Sequence, residues 1–106
     1  MNPHYILDEN GNPVPEPDLL TWAKWFGDLE KTRVASDMIG QTGGEQIHVS
    51  TIFLGIDHGF GTSDPVLWET MIFGGYHDQY QERYTSREDA VVGHAAAVLL
   101  ATGSTP

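Results

Sequence analysis

Asp57 and His58 stand side by side in the segment Gly55-Ile56-Asp57-His58-Gly59-Phe60-Gly61. A carboxylate can orient an imidazole as a general base, and both residue types also ligate metals. Adjacent side chains rarely aim at one atom, however, and no Ser or Cys nucleophile occupies a recognisable elbow. The glycines do not form a phosphate loop, because the Lys and Ser/Thr that should follow are missing. Long glycine-rich loops concentrate binding residues, so Asp57, His58 and Phe60 are read as contacts for a ligand. The competing reading of His58 is a loop histidine bonded locally. His58, His77 and His94, with Asp57 and Glu69, have the chemistry of a zinc site. No pair shows regular metal spacing, and neither a metal nor another cofactor is expected. His94 shares a helical face with Val91 and Val98, which also suits a histidine at the edge of the core. Glu69 should alternate onto the face of Leu67 and Met71, where apolar neighbours would suit an acid. Solvation at an open sheet face, or pairing with Arg33, is the plainer reading.

A second constellation is the polar stretch from Tyr76 to Tyr84, punctuated by tyrosines and acids. Tyrosine brings contact area at low entropic cost and is enriched in interfaces. Asp78, Tyr80, Glu82 and Tyr84 are therefore expected to form a binding surface, with Trp25 as an outlying contributor. Tyr80 and Tyr84 covering a sheet edge is the alternative.

The elements that must position these residues follow from pattern. Tyr5-Ile6-Leu7 reads as a strand, Asn10-Gly11 as a turn and Val14 as a brief return strand. Asp18 reads as an N-cap, followed by Leu19, Trp22, Phe26 and Leu29 on one face, which predicts a helix over 19–31. Residues 32–39 read as a strand with Val34 and Met38 inward and Arg33 and Asp37 outward. A loop over 40–44 leads into 46–54, whose apolar end suits the middle of a sheet. Residues 66–73 read as the third strand after an eleven-residue loop. Thr85-Ser86-Arg87-Glu88 reads as a capping box opening a helix over 86–101. Gly93 inside that Ala-rich helix suggests a tight contact. Short connections make the strands antiparallel. The expected fold is α+β, one domain over 1–106: a β-hairpin, a helix, a three-stranded meander and a final helix. Its expected core is Leu19, Trp22, Phe26, Val34, Val49, Phe53, Leu67, Ile72, Val91, Ala95 and Leu99.

Composition narrows the partners. Fifteen acids face five bases, a net charge of −10 with histidines neutral. Contacts with phosphate require cations to displace counterions, so the charge disfavours direct binding of nucleic acid and of anionic membranes. Basic partners are favoured, with association faster at low salt. Cysteine is absent, which removes disulfides and thiolate sites. The N-terminal residues carry no basic region or apolar run, so no signal peptide is expected. Ala95 to Ala101 is too short to span a bilayer.

The run Ser50-Thr51-Ile52-Phe53-Leu54-Gly55-Ile56-Asp57-His58 and the run Pro65-Val66-Leu67-Trp68-Glu69-Thr70-Met71-Ile72-Phe73-Gly74 resemble a group of short proteins encoded by bacteriophages and prophages. Tyr5-Ile6-Leu7-Asp8, Asp18 and Trp22-Ala23-Lys24-Trp25 fit the same group. The resemblance implies an accessory protein of the bacterial cytoplasm and includes no catalytic signature. Small acidic phage proteins of this kind include inhibitors of host defence such as anti-CRISPR proteins. The leading expectation is a non-enzymatic inhibitor of a basic host protein, monomeric or homodimeric. The alternatives are a binder of small molecules or nucleotide signals using the 55–65 loop, and a small hydrolase around Asp57, His58 and Glu69.

Overall fold

A computed structural model describes residues 3–40, 46–59 and 64–103. Most of the 40–44 loop and Phe60 to Ser63 of the glycine-rich loop lie outside the described residues. The chain is α+β. Strands β1 (Tyr5–Leu7) and β2 (Pro13–Pro15) form an antiparallel hairpin, followed by helices α1 (Leu19–Phe26) and α2 (Leu29–Thr32). Strands β3 (Arg33–Gly40), β4 (Gln46–Phe53), β5 (Trp68–Phe73) and β6 (Gln81–Tyr84) form one antiparallel sheet in that order, and helix α3 (Arg87–Thr102) follows.

The helix expected over 19–31 is two helices. Gly27 ends the first, and the Asp28 carboxylate accepts from the Glu30 amide to cap a second start. Capping side chains compete with helix continuation in this way. Helix α3 also begins differently from the expected box. Ser86, with extended backbone, is the N-cap, and its hydroxyl accepts from the Asp89 amide at 3.0 Å. Strand β6 falls within the polar Tyr76–Tyr84 stretch, to which no element is assigned from sequence, so the meander has four strands rather than three.

The core lies between the sheet and α3. Ile47, Val49, Thr51 and Phe53 of β4 and Trp68, Thr70 and Ile72 of β5 are buried. Ala90, His94, Ala97 and Ala101 of α3 are buried above them, at spacings of four, three and four, which is one helical face. The expected core is right at Val49, Phe53, Leu67 and Ile72. It is wrong on the helices: Leu19 is 60% exposed, Val91 50% and Leu99 71%, and Ala95 is exposed. The sheet already presents Trp68, Phe53 and Ile72, so close packing favours small residues opposite them. Gly93 meets the same demand, since a Cβ there would overlap the Tyr84 ring and hydroxyl.

Strand β3 corrects a second expectation. A register shift between Arg33 and Ala35 moves the alternation by one residue. Val34 and Ile39 therefore both pack toward the core, although their parity differs. Met38 is 58% exposed, and Asp37, expected outward, reaches toward α3 instead.

The N-terminal segment is fastened to the turn after β4. The Gly55 carbonyl accepts from the Tyr5 amide at 2.8 Å and from Trp22 Nε1 at 2.9 Å. Gly55 has φ +72°, and a Cβ would strike the Phe26 ring, so only glycine fits. Trp22 stacks on Phe26, and Trp25 meets Phe53 edge-on at 5.7 Å between ring centroids.

Candidate functional site

From Gly55 to Gly59 the 55–65 loop is held by local bonds. Asp57 Oδ1 accepts from the Gly59 amide at 2.7 Å and the Val66 amide at 2.9 Å, closing the loop on itself. His58 Nδ1 lies 2.8 Å from the Ile56 carbonyl. The two side chains thus serve separate backbone groups rather than each other. Phe60, expected to contact a ligand with them, lies outside the described residues. No three His, Asp or Glu side chains gather into a metal site among the described residues. His77 packs against the Tyr76 ring, and His94 bonds beneath α3. Glu69 pairs with Arg83 at 2.9 Å and accepts from Gln81 at 2.8 Å. Arg33, its suggested partner, pairs with Glu30 instead.

Two hydroxyl–imidazole arrangements arise that sequence alone does not reveal. Under α3, Asp37 Oδ2 lies 2.7 Å from His94 Nε2, and His94 Nδ1 lies 2.7 Å from Thr51 Oγ1, which bonds Thr70 Oγ1. A carboxylate only accepts, so Nε2–H donates to Asp37. With the ring neutral, Thr51 donates to Nδ1 and Thr70 donates to Thr51. The order carboxylate–imidazole–hydroxyl is that of a nucleophilic triad, but Thr51 and Thr70 are wholly buried and meet no substrate. The network therefore satisfies buried polar groups. On the opposite sheet face, Ser36 Oγ lies 2.8 Å from His48 Nε2. No carboxylate orients the other ring nitrogen among the described residues, so the pair lacks the third member that activation requires.

The tyrosine-bearing stretch is brought together with α3. Tyr80, Glu82, Tyr84 and Thr85 line an open groove of about 430 Å³ together with Asp89, Val92, Gly93 and Ala96. Tyr80 packs against the Ile47–Ala97 cluster, and Tyr84 against the Phe53–Trp68 cluster, so both rings form the groove floor and finish the core. Burial pushes the Tyr84 phenol above its ordinary value, and the neighbouring Thr70 hydroxyl offsets this in part. That approach falls short of hydrogen-bond geometry, so the Tyr84 hydroxyl is buried without a partner among the described residues. Asp78 stands outside the groove, where its Oδ1 accepts from the Gly74 amide and holds the β5–β6 turn.

No family model matches the chain. No curated protein and no solved structure matches it either. The site must therefore speak through its own surface, and its most telling part is α3. Residues 90–102 contain no Asp, Glu, Lys or Arg, yet Val91, Val92, Ala95, Ala96 and Leu99 are exposed. Sequence pattern had assigned Val91, Ala95 and Leu99 to the core and missed Val92 and Ala96. The signal that could have found them was the missing charge, since an exposed helix normally carries a polar face.

Proposed function

We propose that the chain is a non-enzymatic binding protein that docks a basic protein on the bare flank of α3 and the acidic, tyrosine-bearing β6. One observation carries this reading: a helix of sixteen residues exposes Val92 at 70% and Leu99 at 71% with no charged residue beside them after Asp89. Contiguous exposed apolar surface rimmed by polar residues marks interaction sites. Glu82 and Asp89 supply the rim, and the −10 net charge selects for cations. The phage resemblance of the strand residues supplies a setting, the bacterial cytoplasm, and a role, inhibition of a host defence factor by occupying its basic surface. The local bonding of Asp57 and His58 gives these two residues a structural task, which speaks against their serving a small-molecule site.

The test is capture of the partner from bacterial lysate, followed by binding kinetics with variants. Val92→Arg and Leu99→Arg should each abolish capture while leaving the melting temperature near wild type, because both sites are exposed. Asp57→Ala or His58→Ala abolishing capture, with the α3 variants neutral, would move the site to the loop and defeat this reading.

A further inference from the structure

We infer that the occupant of the α3–β6 groove is an extended, basic peptide segment that adds to β6 as a fifth strand. This rests on the docking reading above and specifies the partner's conformation and side-chain chemistry. Strand β6 is the edge of the sheet. The Tyr80 and Tyr84 carbonyls accept from the Ile72 and Leu67 amides, and Glu82 pairs with Thr70. Bonds to a neighbour alternate along an antiparallel ladder, so the backbone N–H and C=O of Gln81 and Arg83 turn outward, ready for another chain. Among the described residues the other edge shows no equivalent channel, and there the His94–Asp37 pair bridges α3 to β3.

The groove then reads the incoming side chains. Alternate residues of an added strand would point to the α3 side. There they meet Val92 and Ala96 in the middle, with the carboxylates of Glu82 and Asp89 alongside. An apolar residue flanked by lysines or arginines fits that pattern. Arg83 does not oppose it, because Glu69 already holds its guanidinium on the other face of the sheet at 2.9 Å. A second copy pairing β6 to β6 would set Glu82 and Asp89 against their own duplicates, and nucleic acid would meet the same carboxylates. Charge thus favours a basic strand over both.

The probe is the fluorescein-labelled, amidated peptide TKTVTKT, with TETVTET as its charge-inverted counterpart, followed by fluorescence polarisation. TKTVTKT should bind saturably and lose affinity with added salt, and TETVTET should not bind. Gln81→Pro removes an outward N–H and should weaken TKTVTKT by about tenfold or more. Gln81→Ala keeps that N–H and should stay within about threefold of wild type. A second readout is independent of how well Gln81→Pro folds. N-methylation of TKTVTKT at alternate residues should abolish binding in one parity and spare it in the other. Equal binding of both peptides, binding of neither, or indifference to N-methyl parity would overturn strand addition. So would self-association that TKTVTKT fails to disrupt, which would make a second copy the occupant. If the captured partner still depends on Val92 but ignores Gln81→Pro, the docking surface stands and only its strand mode fails. If the partner ignores Val92 as well, both readings fail.

Discussion

At the scale of single residues, Tyr84 is the most constrained side chain of the site. Its ring fills the gap that Gly93 leaves in α3, and its hydroxyl is buried. Burial raises its folded pKa above the ordinary 10.0, so the unfolded chain releases this proton first as pH rises. The stability from the protonated phenol is fully present below pH 10.0 and is lost as pH climbs from there through the raised folded value. Thermal melts in an alkaline series should fall less steeply for Tyr84→Phe than for wild type. Equal slopes would show that the hydroxyl is better solvated than its surroundings indicate. Gly93 was legible in sequence as a tight contact, because glycine is unfavourable inside a helix without such a reason. Its partner was not legible. The alternation of Gln81-Glu82-Arg83-Tyr84 is too polar to announce a strand, and β6 is held mainly by pairing with β5. Asp57 and His58 drew attention by residue type, but the backbone groups they bond are set by loop geometry that side-chain chemistry does not encode.

At the scale of elements, the strands were easier to read than the faces of the helices. Strand β4 alternates buried and half-buried residues from Ile47 to Phe53, and that period-two pattern is visible in its composition. After Asp89 helix α3 carries no charged residue on any face, so periodicity gives no unique inward face, and pattern favours the larger residues inside. The sheet beneath decides otherwise. Truncation separates the two arrangements. Phe53→Ala should cost about 3–5 kcal/mol, since Phe53 is fully buried between Trp25 and Trp68. Leu99→Ala should stay within about 0.5 kcal/mol of wild type as an exposed substitution. Denaturant midpoints at constant m-value measure both. A large loss at Leu99 would mean that α3 packs on its other side. The division of 19–31 into α1 and α2 follows from Asp28, whose capping role competes with a continuous helix and is hard to weigh against Leu29 on the apolar stripe.

At the scale of the whole molecule, charge and shape act together. The Cα envelope measures 47 × 27 × 21 Å, an elongated body with the α3 flank along the sheet. A field from fifteen acids against five bases reaches past this envelope at low salt and fades with screening. Association with a basic partner should therefore slow as salt rises, while dissociation changes little. Glu82→Lys should lower the low-salt on-rate, and the difference should shrink at high salt. An on-rate insensitive to both would remove electrostatic steering from the mechanism. The hydrogen-bonded line from Asp37 through His94 and Thr51 to Thr70 has a further consequence for how the chain finds one arrangement. The inner surface of α3 is mostly alanine, smooth enough to slide along the sheet. A slip of one turn, about 5.4 Å, would part the His94 imidazole from Asp37 and Thr51, leaving the Thr51–Thr70 bond between β4 and β5 intact. It would also move Gly93 away from the Tyr84 ring it accommodates. The polar line acts as an index pin. Replacing His94 and Thr51 with leucine and valine would remove that pin and leave the Gly93–Tyr84 contact to hold the register alone.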